Sequence, residues 1–281
     1  MENSGWVGQA RFGLVRVAVF GAGGRVGAAV CAAVVGATDL ELVAAVDPKM
    51  AGLDLHQVAG VDGTGLQVAR SAQILADVGA EVAVDFTNAD GARENLSWCA
   101  SHGVHAVCGT TGLAPDEVDR LRTEFEAGTA NCVLAANFAV GAVLMMRLAE
   151  MAAPFMDSVE IIELHHDAKI DAPSGTALRT AERLNQSRSR SGAGPWSADP
   201  TTKVVLDEAR GAASEGVRIH SVRLRGLVAH QEVLMGTTGQ TLTIRHDSYD
   251  RTSYMPGVLL AIRAVPDHPG LTIGLDAVLG F

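Results

Sequence analysis

After its first residues the chain settles into apolar runs separated by polar stretches. Val15 to Phe20 is β-branched and uninterrupted by polar residues after Arg16, which fits a strand buried on both faces of a parallel sheet. Ala28 to Val35 is Ala-rich and predicts a helix, and "LELVAAVD", ending at Asp47, a second strand. The alternation then repeats. Val82–Phe86 predicts a strand and Asp90–Ser101 a helix, Val104–Cys108 a strand with a helix after Pro115, and Cys132–Ala135 a strand with a long apolar helix from Val140. Strands that alternate with helices predict a doubly wound parallel sheet.

The rhythm changes at Ser158. "SVEIIEL" alternates like a half-buried strand, and "APSGTALRTAERLNQ" reads as a helix with Ser174 as its N-cap. Ser187 to Gly216 is polar and rich in Gly and Ser, and is expected to be a mobile loop or flap. Strands at 217–224, 229–236 and 240–248 follow with only short turns between them, the pattern of a sheet with hairpins. This predicts an α+β domain with an open mixed sheet, whose uncovered face homo-oligomerisation can bury. A helix in "PGVLLAIRAV" and a last apolar strand are expected to return to the first domain. The expected boundaries are 14–137 with 251–281 for the first domain and 138–250 for the second. Residues 1–13 are expected to be a loose tail.

The length of 281 residues agrees with two domains. Hydrophobic residues make up 48% and charged residues 19%, a globular balance. A formal net charge of −10 argues against nucleic acid and anionic membrane as partners. An anionic ligand therefore requires a local basic pocket. Cys31, Cys99, Cys108 and Cys132 form no C-x-x-C pair, which reads as buried, reduced thiols in a cytoplasmic protein. No secretory signal or apolar run of membrane-spanning length is visible, and no His/Asp/Glu cluster has metal spacing.

Two motifs carry the chemistry. In "VFGAGGRVG" the glycines at 21, 24 and 27, with the intervening Arg25 and Val26, lie between a strand and a helix. That pattern allows a tight turn, a bare backbone at a pyrophosphate and a close helix–strand contact. Asp47 ends the next strand, where an acid holds the adenosine ribose hydroxyls. The first domain is therefore read as Rossmann-like and NAD(P)-binding. Asp47 favours NADH, whereas Lys49 and Arg25 can offset its repulsion of a 2′-phosphate, so the choice between NADH and NADPH stays open. Asp85-Phe86-Thr87, Gly109-Thr110-Thr111-Gly112 and Asn137-Phe138 fall at the same carboxyl edge and are expected to contact cofactor or substrate. The second motif, "ELHHDAKIDAPSGTA", brings His165, His166 and Lys169 together ahead of a helix start. His220, His230 and His246 sit in strand patterns and read as structural.

Together with "DFT", "GTTG", "NFAVGA" and "GLVAHQEVLMG", these motifs resemble the 4-hydroxy-tetrahydrodipicolinate reductase (dihydrodipicolinate reductase) family, from about Val15 to the C-terminus. The resemblance implies NADH- or NADPH-dependent reduction of a cyclic dicarboxylated imine with loss of water, in diaminopimelate and lysine synthesis. It implies a homotetramer and two domains that close together. The two carboxylates call for cations and aimed N–H groups. Lys169 supplies a point charge, and the helix start at Ser174, Gly175 and Thr176 supplies donors and a positive dipole end. His165 takes the role of proton donor, with Lys169 and a water as alternatives, and His166 contacts substrate. Asp167 and Asp171 read as structural or solvent-facing. In "DRTSYMPG", Arg251 and Tyr254 are expected near the cofactor, and the family varies at the aromatic position and around Lys49. Other readings are an imine or amino-acid dehydrogenase with a different substrate, or a nicotinamide-sensing protein without catalysis.

Overall fold

In the computed structural model, which describes residues 13–281, six strands form a wholly parallel sheet. They are β1 (Val15–Phe20), β2 (Leu40–Val46), β3 (Val82–Asp85), β4 (His105–Cys108), β5 (Cys132–Leu134) and the last strand, β11 (Leu271–Ile273). The order is β11-β5-β4-β3-β1-β2. The connections carry helices α1 (Arg25–Val35), α4 (Ala89–His102) and α5 (Pro115–Ala127), with two short helices, α2 (Leu55–Ala59) and α3 (Gln73–Asp77), after β2. Helix α8 (Met255–Ala264) precedes β11. β3 is buried along its whole length and β1 from Val17 onward, as expected of strands with helices on both faces. The order reverses at β1, between β3 and β2, and the crevice at such a reversal is where α/β sheets bind ligands. The four cysteines are buried and unpaired. Apart from Gly13, the expected N-terminal tail lies outside the described residues.

The chain divides into two compact units, one formed by residues up to Phe138 with Met255–Phe281, the other by Ala139–Tyr254. The second unit holds α6 (Val140–Ala152), β6 (Ser158–His165), α7 (Gly175–Ser191), β7 (Ala212–Ser214), β8 (Val217–Arg223), β9 (Ala229–Thr237) and β10 (Gln240–Ser248). Its mixed sheet has the order β10-β9-β6-β8-β7.

The unit boundaries fall after Phe138 and after Tyr254, rather than after 137 and 250, so Arg251 and Tyr254 lie in the second unit. Two further details differ from the sequence expectation. β8 and β9 form no hairpin, because β6 lies between them, parallel to β8 and antiparallel to β9. Hydrophobic alternation sets which face of a strand is buried but does not name its neighbour. The short link between β8 and β9 instead passes over the end of β6. There Leu224 N donates to His165 O at 3.0 Å and His166 N to Val228 O at 3.4 Å.

The second difference is in the expected loop from Ser187. Helix α7 continues to Ser191, and Ala212–Ser214 forms a strand against β8. The sequence "SRSRS" reads as polar, but Arg188 turns inward and is 8% exposed. Its guanidinium donates to the carbonyls of Ala153, Met156, Gly194 and Pro195 and lies 4.0 Å above the ring of the buried Trp196. Four carbonyls held by one cation fix the chain leaving α7, and the Trp196 Nε1 bond to Asn185 Oδ1 at 2.7 Å adds to this. Replacing Arg188 with Ala removes the one cation that ties these four carbonyls, most of them only partly buried, to α7 and to Trp196. It is expected to cost about 3 kcal/mol in chemical unfolding and to speed tryptic cleavage at Lys203 and Arg210.

Candidate active site

The first unit contains a cavity of about 550 Å³ at the reversal of its sheet. Of the predicted residues, Gly21, Gly24, Asp47, Phe86 and Thr87 line it. Gly21 has φ +73°, so the turn out of β1 needs a glycine, and Gly24 N closes it onto Gly21 O at 2.9 Å. Gly27 lies beneath, in α1. A Cβ there would stand 2.0 Å from Gly21 O, so its lack of a side chain sets the helix–strand distance. Arg25 is exposed at the start of α1, and Val26 is partly buried. Asp47 accepts from Gly23 N at 3.1 Å and Lys49 N at 3.0 Å, so its carboxylate also pins the glycine turn to the end of β2.

The other edge residues are organised by Asp85, which is 1% exposed. It accepts from Thr87 N (3.0 Å), Thr87 Oγ1 (2.8 Å), Thr110 Oγ1 (2.8 Å) and Asn95 Nδ2 (2.7 Å). Thr110 is buried by this contact, while Thr111 is exposed. A Cβ on Gly109 would stand 2.0 Å from the Phe86 ring, so Gly109 gives that ring its place. Phe86 meets the buried Phe138, which follows Asn137, edge-on at 5.7 Å. Sequence reasoning missed Arg70, Ser71, Gln73 and Trp98, which also line the cavity with Lys49. No motif marks them. A bridge between Val46 and Ala69 carries residues 69–73 to the end of β2.

The second unit assembles the other predicted residues at the carboxyl end of β6. His165 is the last residue of that strand, and its Nδ1 lies 2.6 Å from Glu163 Oε2. Glu163 is fully buried. Arg223 at the end of β8 donates to both its oxygens, at 2.9 and 2.8 Å, and Ser174 N donates to Oε1 at 3.2 Å. Burial pushes the Glu163 carboxyl up, but hydrogen bonds from Arg223, Ser221 and His165 overcome this and hold it below the usual range, ionised. Burial lowers the His165 pKa, and the cations Lys169 and Arg223 add to that; Glu163 opposes them without reversing the shift. Lys169 is mostly buried, and its Nζ lies 2.7 Å from both Asp171 oxygens. Asp171 is therefore the counter-ion of the predicted anchor, and its own pKa is lowered by that contact.

Ser174 is the N-cap of α7, its side chain accepting from Ala177 N at 3.2 Å. The first N–H groups of a helix have no carbonyl four residues back, so those of Gly175 and Thr176 are available to an anion. A Cβ on Gly175 would meet no atom within 4 Å, so the protein itself does not demand glycine there. The residue leaves open room over the helix start. His166 is exposed beside this group. Arg251 and Tyr254 form a short 3-10 turn that belongs to the second unit. Glu163 and Arg223 are the residues at this site that sequence reasoning missed; the only signal was an acid two residues before His165, on the same strand face as the apolar Val159 and Ile161.

The glycine turn, the acid ending β2 and the cavity at the sheet reversal fit a dinucleotide, as in nicotinamide-dependent oxidoreductases. Family models for the N-terminus and C-terminus of dihydrodipicolinate reductase match residues 15–138 and 141–279. The chain belongs to this family. It is 52% identical to the 4-hydroxy-tetrahydrodipicolinate reductase of Nocardia farcinica, over 94% of this chain and 98% of that one. With the same enzyme of Cutibacterium acnes it shares 50% identity, over 95% and 99%. Among solved structures, the dipicolinate-bound dihydrodipicolinate reductase of Paenisporosarcina sp. TG-14 superposes with a TM-score of 0.83 at 38% identity, covering 94% of this chain and 99% of that one. An amine dehydrogenase from Mycobacterium smegmatis, 15% identical with a TM-score of 0.62, shares the fold.

In the ligand-free protein the His165 ring is expected to titrate below the ordinary histidine value of 6.5. Saturation with pyridine-2,6-dicarboxylate adds negative charge beside it and is expected to raise that value, read by NMR of labelled histidines. An unmoved titration at saturation would place the dianion elsewhere.

Proposed function

We propose that this chain reduces 4-hydroxy-tetrahydrodipicolinate to tetrahydrodipicolinate with loss of water, using NADH or NADPH, in diaminopimelate and lysine biosynthesis. The observation that carries the reading is the grouping of His165, Lys169 and the start of α7 around the end of β6. The names of the relatives point to the same substrate, and the Paenisporosarcina relative is dipicolinate-bound.

The nicotinamide cofactor, when bound, supplies the hydride. Gly21 and Gly24 offer bare backbone to its pyrophosphate, and Asp47 stands where the adenosine ribose hydroxyls belong. Arg25, Val26, Gly27, Phe86, Thr87, Gly109, Thr110, Thr111, Asn137, Phe138, Arg251 and Tyr254 complete the proposed cofactor set. Lys169 pairs with one substrate carboxylate, and the N–H groups of Gly175 and Thr176, with the Thr176 hydroxyl, receive the other. Ser174 caps this helix start and His166 contacts the ring. Elimination of the substrate hydroxyl with a neighbouring hydrogen as water gives the conjugated imine, and as hydride adds to it the electron pair moves toward the ring nitrogen. The bound dianion favours the imidazolium form of His165, which then donates from Nε2 the proton that completes the reduction and returns to the neutral ring with hydrogen on Nδ1.

We further assign the protein to the cytoplasm as a homotetramer. Among the described residues no helix is long and apolar enough to cross a membrane. Ile162, Leu164, Val222 and Leu234 share one face of the second sheet and are only half-buried in a single chain, which supports self-association through that face.

A coupled assay with the upstream synthase supplying fresh substrate is expected to show oxidation of NADH or NADPH. His165→Gln should lower kcat about 100- to 10,000-fold, and Lys169→Ala should lower kcat/KM about 10- to 100-fold. Absence of turnover with either cofactor, despite measurable NADH binding, would remove the substrate assignment. Arg70 and Lys49 line the cavity beside Asp47, so Arg70→Ala should raise the KM for NADPH about tenfold and leave that for NADH nearly unchanged.

A further inference from the structure

One carboxylate is common to everything at the end of β6. Glu163 Oε2 takes His165 Nδ1 and one Arg223 nitrogen, while Oε1 takes the other Arg223 nitrogen and Ser174 N. Arg223 continues to Asp171 O at 2.6 Å, reaching the segment that carries Lys169. An apolar pair of similar volume could fill the same space, and for stability alone it often serves as well as a buried ion pair. It could not act on the histidine. An ionised carboxylate only accepts hydrogen bonds, so the ring nitrogen 2.6 Å from Glu163 must carry hydrogen. That leaves Nε2 with the lone pair. The second oxygen ties the same group to the backbone of the α7 N-cap.

We infer that Glu163 is a positioning residue: it holds His165 with hydrogen on Nδ1, so that Nε2 is the atom that exchanges the proton, and locks the ring to the start of α7. Arg223 is its counter-ion and bridges it to the Lys169 segment. The catalytic meaning rests on the proposed reduction, whereas the protonation pattern does not depend on it.

Glu163→Gln separates this role from simple packing. Arg223 has only donors, so it captures the single glutamine oxygen, and the amide NH₂ then faces His165 Nδ1. The ring is forced into the opposite tautomer, with hydrogen on Nε2. The charged groups that face His165 are Glu163 on its own strand, Lys169 beyond it and Arg223 on β8. With the one anion removed, burial and the two cations remain, and the ring titrates at lower pH.

The test is ¹⁵N NMR of labelled histidines in the full-length protein, beside steady-state kinetics. Wild type is expected to show neutral His165 protonated at Nδ1. Glu163→Gln should show it protonated at Nε2, with its titration moved to lower pH. It should lose about 100-fold in kcat with little change in KM. Glu163→Asp, which still accepts, should restore the Nδ1–H form and part of the rate. Wild type protonated at Nε2, a reading that needs no variant to fold, would overturn the inference. So would a Glu163→Gln protein with wild-type tautomer, pH profile and kcat. If wild type lacks turnover yet shows the Nδ1–H form and its reversal in Glu163→Gln, the reduction is refuted and the positioning role is upheld.

Discussion

A carboxylate with no exposed surface must be matched by donors, and around Glu163 that requirement orders the second unit. Its main partner, Arg223, stands at the end of β8, beside His165 in the parallel register. A parallel neighbour demands a crossover, and α7 lies in the segment that makes it. The crossover returns the chain past the same carboxylate, where Ser174 N docks and caps the helix. The link from β8 to β9 then has to pass over the end of β6, which brings residues 224–228 against His165 and His166. The anchor helix and the histidine are thus placed by one electrostatic demand.

The first unit solves a related problem in the same way. Asp85 ends β3 buried, and its donors come from the following turn, from α4 and from the turn after β4. A carboxylate that gathers Thr87, Asn95 and Thr110 makes three separate segments rigid along one edge. Phe86 is then held over Gly109 and against Phe138. In both units the loops of the proposed site are fixed from below by a carboxylate at or near a strand end, so their exposed residues need not hold themselves in place.

The parts of this design that repeat with a period were legible in the sequence. Buried parallel strands read as apolar runs, and the glycine turn read clearly because Gly21, Gly24 and Gly27 each have a distinct steric task. The histidine–lysine–Ser-Gly-Thr run stood out as a candidate site because so much ionisable chemistry is gathered beside a helix cap. What stayed hidden is pairing across distance. Glu163 and Arg223 are sixty residues apart, and each alone looks like a polar residue on a half-buried strand. Arg70 reaches the cavity only through the bridge at Ala69. The neighbour of β8 and the inward turn of Arg188 follow from three-dimensional packing that no local pattern encodes.

The state of Lys169 bears on why the proposed site selects dicarboxylates. Its ammonium is not bare in the ligand-free chain, since Asp171 offers it two oxygens at 2.7 Å. A substrate carboxylate that takes the lysine exchanges one ion pair for another, and the released Asp171 is half-exposed and easily hydrated. The net gain from that exchange is small. A second carboxylate at the start of α7 displaces no protein anion, because Glu163 lies behind the N-cap rather than over Gly175. In the proposed reaction the free energy that holds the substrate therefore comes mainly from the helix end, while Lys169 fixes its orientation. A monocarboxylate can satisfy one of these groups at a time, and neither alone both binds the ring and orients it toward His165. The proposed selection for two carboxylates thus rests in part on the Lys169–Asp171 pair, a contact that looks at first like a surface ion pair of no consequence.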